Sequence, residues 1–221
     1  MKKNWLLFIV FFLSKIYPQT YEMNPQTNPF ANIQNQSLSL YGFAETPWNS
    51  AYSQVYDGFK TLATSNLTNE RIEIVAAQKD QFILIKRNNI LYRYNFYKTP
   101  YEVAKLRNQN LTQEDHNLIE GVLFQVKVLF PFIEANQVVE KIEAQYGKKT
   151  KSTVDPKTLR GVDIWDLPGG VIFVWYEPYN NKPYTRKIDY ISKEISQRIL
   201  EETKDYFDSK EKELLRDIII K

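Results

Sequence analysis

The sequence contains no cysteine among its 221 residues, which excludes disulfide cross-links, thiol chemistry and a lipid-modified N-terminal cysteine. It contains a single histidine, His116, so a transition-metal site built from histidine and cysteine is not expected. The seven glycines form neither a phosphate-binding loop nor a dinucleotide-binding motif, and a G-x-S-x-G nucleophile motif does not occur. The sequence therefore predicts no metal, no cofactor and no catalytic residue, and the protein is not expected to be an enzyme.

The N-terminal hydrophobic run is too short to cross a bilayer. It extends from Trp5 to Leu13, which is nine residues, whereas a membrane-spanning helix needs about 20. Lys2 and Lys3 precede the run, and this order is typical of a secretory signal peptide. We expect residues 1–19 to be a signal peptide. The mature protein would then be exported to the periplasm or cell envelope of a bacterium, without a transmembrane segment.

The small excess of positive charge belongs to this leader. The whole chain carries 29 basic and 26 acidic residues, and Lys2, Lys3 and Lys15 account for the difference because the first acidic residue is Glu22. Residues 20–221 are therefore electrically balanced. Because binding to a nucleic-acid backbone depends on a net positive field, no nucleic-acid partner is expected.

The remaining sequence predicts one folded domain. Residues 20–37 are rich in Asn, Gln and Pro without periodicity and indicate a flexible linker. Residues 38–221 are long enough for a single α+β domain with a sizeable core. The pattern divides this domain into two halves, 38–116 and 117–191, followed by a long amphipathic helix over 192–220.

Each half shows a strand, a helix and then three antiparallel strands, so a tandem repeat of pattern is predicted. We expect a two-layer architecture in which the halves share an antiparallel sheet with helices on one face. The first half is predicted to contain a strand over Leu38–Phe43, a turn ending in Ser50 as helix cap, a helix with Tyr52, Val55, Tyr56 and Phe59 on one face, and strands over Arg71–Ala77, Gln81–Arg87 and Ile90–Tyr97. A polar connector over Lys98–His116 is predicted to contain a short helix capped by Thr112. The second half is predicted to contain a strand over Gly121–Phe132, a helix over Glu134–Tyr146, and strands over Val162–Leu167, Val171–Glu177 and Tyr184–Ile191. In the first of these strands, one face is predicted to carry Val122, Phe124, Val126, Val128, Phe130 and Phe132.

Two resemblances agree with this organisation. The segment from Gly42-Phe43 through Pro47-Trp48 to Ser50, Tyr52, Val55 and Phe59 resembles exported bacterial cell-envelope proteins of unknown function. The repeated unit of a helix followed by three strands resembles the topology of beta-lactamase inhibitory protein and of the small outer-membrane assembly lipoprotein with a related fold. These resemblances imply a fold and a compartment, and they imply no functional residue.

The charged residues form no pattern that predicts a catalytic site. Asp163 and Asp166 lie in a predicted strand, but a spacing of three directs them to opposite faces. His116 is expected in a solvated connector, and Glu201 and Glu202 are expected to be surface charges.

Aromatic residues are the most suggestive group, at 14% of the chain. In the strand Val171–Glu177 both faces are apolar, so one face needs a cover: the C-terminal helix, a second sheet or a bound partner. Core packing and an exposed recognition patch both explain such a pattern. If the patch exists, Trp165, Tyr179 and Tyr184 are the candidate residues for partner contact, whether the partner is a protein or a glycan.

Three functions remain open at this stage. The first is an exported, non-enzymatic protein that binds a macromolecular partner, either an envelope protein or a glycan. The second is a glycan- or cell-wall-acting hydrolase with paired carboxylates. The third is a carrier of a small apolar ligand, which requires a dry cavity between sheet and helix. The sequence leaves the oligomeric state open.

Overall fold

The computed structural model describes residues 38–64 and 72–218. The predicted signal peptide over 1–19 and the predicted linker over 20–37 lie outside the described residues. Within the described part of the chain, the helices are too short or too polar to span a bilayer.

The structure confirms an α+β fold. The described elements are β1 (Gly42–Phe43), β2 (Thr46–Pro47), α1 (Tyr52–Thr64), β3 (Ile72–Gln78), β4 (Phe82–Arg87), β5 (Ile90–Tyr97), α2 (Tyr101–Arg107), α3 (Gln113–Leu118), β6 (Val122–Glu134), α4 (Ala135–Tyr146), β7 (Lys151–Ser152), β8 (Gly161–Leu167), β9 (Gly170–Tyr179), β10 (Lys182–Ser192) and α5 (Lys193–Ile218). Strands β1 and β2 form a two-stranded ribbon, and the other strands form one antiparallel sheet in the order β3-β4-β5-β6-β10-β9-β8-β7.

The two halves of the domain share this sheet, because β5 of the first half pairs with β6 of the second. Each half contains a helix followed by three antiparallel strands, α1-β3-β4-β5 and α4-β8-β9-β10, with the short β7 inserted before β8. The hairpins between the strands use Asn88-Asn89 and Asn180-Asn181, and all four asparagines have positive φ. Asparagine tolerates this conformation better than most residues, which is why these pairs mark tight turns.

Helices α1 and α4 pack on the same face of the sheet. The register places Tyr94 opposite Val126 and Ile188 opposite Val128, and such alternating residues share one face. One core cluster contains Tyr52, Val55, Phe59, Ile83, Ile85, Tyr94, Phe96, Leu123 and Val126. The other contains Leu40, Val128, Ala135, Val139, Ile142, Trp165, Leu167, Ile172, Val174, Tyr176 and Ile188. Phe43 and Trp48 contact both clusters, so the two form a continuous core on this face.

The start of α1 differs from the prediction. The Ser50 hydroxyl donates a 2.8 Å hydrogen bond to the Pro47 carbonyl instead of capping the helix. The first helical amide, that of Tyr52, donates instead to the Gly121 carbonyl at 2.9 Å. The backbone carbonyl of Gly121 therefore accepts the hydrogen bond that a capping side chain would accept in many other helices.

Strand β6 contains an irregularity that changes which residues enter the core. Asn95 lies opposite Gln125, but the next residue, Phe96, lies opposite Leu123, so Phe124 is an extra residue in the ladder. Leu123 is therefore fully buried, whereas Val122 is only half-buried. The prediction that Val122 and Phe124 share one face with Val126 and Val128 is wrong, because a β-bulge reverses the alternation.

The connector between β5 and β6 contains one predicted helix and one that the sequence analysis missed. Thr112 caps α3 as predicted, and its hydroxyl accepts a 3.1 Å hydrogen bond from the Asp115 amide. Helix α2 has a single buried residue, Val103, so it lacks a periodic signal. The prediction that His116 is solvated is wrong: it is 7% exposed, and its Nε2 donates to the Thr99 carbonyl at 2.7 Å.

The C-terminal helix is confirmed, and α5 continues through Asp208-Ser209 without a break. Because Tyr97 follows Phe96 in β5, its side chain lies on the face opposite the core. The Tyr97 hydroxyl donates a 2.7 Å hydrogen bond to Glu202 of α5. Helix α5 therefore contacts the sheet from the side opposite α1 and α4, near one end of the strands.

Candidate functional site on the second face of the sheet

The face of the sheet opposite α1 and α4, called here the second face, carries apolar side chains that reach solvent. Cross-strand pairing aligns Arg93, Lys127, Asp189 and Phe173 in one row across β5, β6, β10 and β9. The adjacent row contains Leu91, Leu129, Lys187 and Trp175. Apart from Asp189, the side chains of these two rows are half-buried or exposed, and Trp175 is 38% exposed.

Asp189 is the centre of a hydrogen-bonded network on this face. It is only 3% exposed, and its Oδ2 accepts a 2.6 Å hydrogen bond from the Trp175 indole. Its Oδ1 accepts a 3.2 Å hydrogen bond from the Gln125 amide. The ammonium groups of Lys127 and Lys187 lie 4.0 and 3.6 Å from the same carboxylate. Burial of this charge is tolerated because hydrogen bonds and two cations surround it.

The network continues across the sheet towards β4. Asn95 donates a 3.0 Å hydrogen bond to the Gln125 side-chain oxygen. Arg93 donates to the Asn95 side-chain oxygen at 2.9 Å, and its guanidinium lies 4.4 Å from the centre of the Phe82 ring. Polar groups on three neighbouring strands, β5, β6 and β10, are thereby held in fixed positions.

A cluster of exposed rings lies beside the turn between β9 and β10. Phe132 stacks on Tyr179 at 5.5 Å between ring centres, and Tyr184 meets both rings edge-on at 6.1 and 5.6 Å. The Arg186 guanidinium lies 4.8 Å from the centre of the Phe132 ring. These four residues are called here the tip cluster. Phe132 is 42% and Tyr179 is 52% exposed, so the cluster presents apolar surface to solvent.

The geometry of the tip cluster follows from the strand pairing. The ladders of β10 with both neighbours shift register between Thr185 and Lys187: Arg186 is an extra residue opposite β9, whereas residues 130–132 of β6 are the unpaired stretch opposite Arg186. A bulge redirects the side chain that it carries. Lys182 and Glu134 flank the cluster with an ion pair of 3.3 Å.

The structure separates the three residues that the sequence analysis singled out for partner contact. Tyr179 and Tyr184 lie together in the tip cluster. Trp165 is fully buried: it pairs with Ile172 on the core face, and its indole donates to the Gly147 carbonyl at 2.9 Å. The prediction that Trp165 contacts a partner is therefore wrong, because the alternation of side chains in β8 directs Trp165 to the core face.

Three further residues of this face were not predicted from the sequence: Phe132 and Arg186, which belong to the tip cluster, and Trp175, which contacts Phe173, Lys187 and Asp189. Phe132 was predicted only to share one face of the strand Gly121–Phe132, and Trp175 and Arg186 were not among the predicted contact residues. For Trp175 the sequence does contain a signal: Phe173 and Trp175 alternate in β9 and therefore share one face, which could have identified Trp175 as a candidate contact residue. A bulge cannot be read from one strand, so nothing in the local pattern places Arg186 over Phe132.

The carboxylates of β8 lie on opposite faces, as their spacing predicts. Asp163 is fully buried on the core face, where its Oδ2 accepts hydrogen bonds of 2.6 Å from Lys149 and 2.7 Å from the Tyr176 hydroxyl. Burial and this carboxylate raise the pKa of Tyr176.

Asp166 is exposed and forms an ion pair with Lys193. Within residues 38–64 and 72–218, acidic and histidine side chains form no group that could hold a metal ion.

A crevice opens on the core face between α1, the ribbon and the sheet. Its volume is about 460 Å³, and its walls include Phe43, Phe59, Ile72, Ile85 and Tyr94. Polar side chains, those of Glu45, Thr46 and Arg87, also line it. It differs from a closed cavity because it is open to solvent.

Comparisons of the chain with protein-family models, with characterised proteins and with solved structures find no match.

Proposed function

We propose that this chain is an exported, non-enzymatic protein that binds a protein partner through the tip cluster. The single observation that carries this proposal is the mutual packing of Phe132, Tyr179 and Tyr184 in a solvent-exposed position. Large exposed aromatic groups are uncommon on soluble proteins unless they serve recognition. Tyrosine and arginine are also enriched among the residues that dominate the energy of protein interfaces.

The arrangement of the rings favours a protein over a glycan. A sugar ring stacks on a free aromatic face, but the Phe132 ring is engaged by both Tyr179 and Arg186. A preformed cluster of rings is a suitable anchor for a protein pocket, because its side chains lose little additional entropy on binding.

The carboxylates support a binding role over a hydrolase. Asp163 is occupied by Lys149 and Tyr176, and Asp189 is occupied by Trp175, Gln125 and two lysines. The two lie on opposite faces of the sheet, which is unsuitable for joint action on one glycosidic bond.

Export remains part of the proposal and rests on the N-terminal pattern of Lys2, Lys3 and the apolar run from Trp5 to Leu13. Fractionation of cells and N-terminal sequencing of the purified protein test it. A mature protein that begins near Thr20 in the envelope fraction supports export. A protein that begins at Met1 in the cytoplasmic fraction contradicts it.

Site-specific photo-crosslinking in intact cells tests the binding role. A photoreactive amino acid replaces Tyr179, and as a control it replaces Lys141, an exposed residue of α4 on the other side of the sheet. We expect a discrete cross-linked protein from position 179, identified by mass spectrometry, and its loss when Phe132 is changed to Ala in the same chain. Identical products from both positions, or none from position 179, contradict the proposal.

The crevice beside α1 favours a second candidate function, the transport of a small apolar ligand. An apolar fluorescent probe such as N-phenylnaphthylamine tests it. If the crevice binds such ligands, Ile72→Arg, which places a charge in its wall, abolishes the fluorescence increase. Val75→Arg, in the same strand at a position 47% exposed, is the control and leaves binding unchanged. Equal effects of the two substitutions contradict the carrier function.

A further inference from the structure

The central rows of the second face carry more positive than negative charge. Arg93 and Lys127 lie directly opposite each other on β5 and β6, and Lys187 lies in the adjacent row on β10. Like charges that face each other across a sheet are destabilising. In these two rows, from β5 to β9, the one acidic residue is Asp189.

Asp189 compensates only part of this charge. It is a single buried carboxylate between two ammonium groups, and it already accepts hydrogen bonds from Trp175 and Gln125. The Lys127 and Lys187 side chains remain 32% and 31% exposed, so both still reach solvent. Arg93 is exposed and has no part in the contacts of Asp189.

Apolar surface is interleaved with these cations. Lys187 lies 4.0 Å from the centre of the Trp175 ring, and Phe173 lies 6.4 Å from the same ring. Leu91 and Leu129 pair with each other in the row beside Arg93 and Lys127, and Leu129 also pairs with Lys187. The two rows together are called here the strip. A partner that complements the strip needs both carboxylates and apolar side chains.

The position of the strip limits the shape of the partner. Helix α5 contacts the second face at Tyr97, beyond one side of the two rows, and the tip cluster lies beyond the other side. A helix has a diameter of about 10 Å, so α5 forms a wall beside the strip. A flat bilayer cannot reach past such a wall, whereas an extended or helical protein segment can lie along it.

We propose that the two rows, from Arg93 and Lys127 to Lys187 and Trp175, bind an acidic, apolar-containing segment of the protein that the tip cluster anchors. This inference rests on the proposed function and specifies the chemistry of the partner. Neutralisation of the facing cations provides a driving force that the free protein lacks, and charge complementarity of this kind also sets specificity and association rate.

Binding to defined probes, measured by fluorescence anisotropy with the exported full-length mature protein, tests the inference. The first probe is a labelled peptide in which glutamate and leucine alternate, and the second has lysine in place of glutamate. Vesicles of phosphatidylcholine with phosphatidylglycerol and an anionic polysaccharide, polygalacturonate, are measured in parallel. We expect binding of the acidic peptide alone, with an affinity that falls as the salt concentration rises.

Three substitutions locate the site. Arg93→Gln is expected to weaken binding of the acidic peptide about five- to tenfold, and it removes no direct contact of Asp189. Lys127→Arg keeps the charge and is expected to preserve binding. Lys141→Gln removes the same charge from α4 and is the matched control, with unchanged affinity.

Several results overturn the inference. These are equal binding of both peptides, tighter binding of vesicles or polysaccharide than of the acidic peptide, absence of any binding, or equal effects of Arg93→Gln and Lys141→Gln. The proposed function fails separately, because it depends on cross-linking from position 179. If a partner is cross-linked from position 179 but both peptides bind equally, the proposed binding function stands. Only the inference that the partner carries an acidic segment is then contradicted.

Discussion

The indole of Trp175 donates a 2.6 Å hydrogen bond to Oδ2 of Asp189, and this bond fixes an exposed ring to a buried carboxylate. The two residues are diagonal neighbours on β9 and β10, because Trp175 pairs with Lys187 and Asp189 pairs with Phe173, and Lys187 lies over the same indole ring. An exposed aromatic side chain is thus held in one orientation before any partner arrives, which reduces the entropy lost on binding.

Removal of the Asp189 carboxylate should destabilise the domain. Asp189→Ala leaves the Trp175 indole without its acceptor and brings Lys127 and Lys187 together without a counter-charge. We expect a loss of about 2 kcal/mol in the free energy of unfolding, because hydrogen bonds to a charged group contribute about 1.5–3 kcal/mol. Urea denaturation followed by tryptophan fluorescence measures this loss.

Asp166 provides the matched control for this substitution. It is an exposed aspartate of the same sheet, and its ion pair with Lys193 lies at the surface. Asp166→Ala should change stability by less than about 1 kcal/mol, since exposed pairs contribute little. If both substitutions lowered the free energy of unfolding equally, the buried network around Asp189 would contribute no more to stability than an exposed ion pair does.

Alternation and turn chemistry explain why so much of the fold could be predicted. Tyr92, Tyr94 and Phe96 alternate with polar residues, and the Asn88-Asn89 pair forms the predicted turn with positive φ. Both signals lie within a few residues of chain, so they can be read without knowledge of the neighbours.

The features that were missed depend on residues far apart in the chain. The bulge at Phe124 is defined by the pairing of β6 with β5, and the one at Arg186 by the pairing of β10 with β9. Glu202 is 2% exposed although the sequence indicates a surface charge, because its partners Tyr97 and Arg107 precede it by about a hundred residues. The local pattern contains no trace of such contacts.

Glu202 should hold α5 on the domain. Its carboxylate accepts hydrogen bonds from Tyr97 at 2.7 Å, from Thr99 at 3.1 Å and from Arg107 at 3.0 Å. Glu202→Ala removes all three acceptor contacts, so the amides of α5 should exchange with deuterium faster than in the parent protein. The neighbouring Glu201 is exposed, and Glu201→Ala should leave the exchange rates of α5 unchanged. Equal exchange in both variants would contradict this role.

The two kinds of aromatic residue singled out from the sequence should respond differently to truncation. Trp165 is fully buried, so Trp165→Ala should lower the free energy of unfolding by about 3–5 kcal/mol. Tyr179 is 52% exposed, so Tyr179→Ala should lower the free energy of unfolding by less than about 1 kcal/mol. Chemical denaturation of both variants checks the difference, and similar losses would contradict the separation of core from contact residues.

Buried tyrosines should make the protein sensitive to alkaline pH. Burial raises the pKa of Tyr94 and Tyr190, and burial together with the hydrogen bond to Glu202 raises that of Tyr97. Below about pH 10, the ordinary pKa of tyrosine, folded and unfolded chains both keep these protons. Above it the unfolded chain releases them first, so stability falls as the pH rises.

Urea midpoints measured across this range, together with phenolate absorbance, check the alkaline effect. The absorbance of the buried tyrosines should appear only as the protein unfolds. Tyr97→Phe should make the midpoint less dependent on pH above about pH 10, because one titrating group is removed. A midpoint that stays constant across the alkaline range would contradict the expectation.

Two glycines should respond to alanine with opposite signs. Gly58 is exposed within α1, and a Cβ there meets nothing within 4 Å, so Gly58→Ala should stabilise the domain by about 0.5–1 kcal/mol through helix propensity. At Gly121 a Cβ would lie 2.5 Å from the Asp80 carbonyl oxygen, and the Gly121 amide already donates to the Asp80 side chain at 2.9 Å. Gly121→Ala must therefore displace backbone and should cost about 1–3 kcal/mol. Thermal unfolding of the two variants measures both effects, and a rise in melting temperature for Gly121→Ala would contradict the close approach of the two backbone segments.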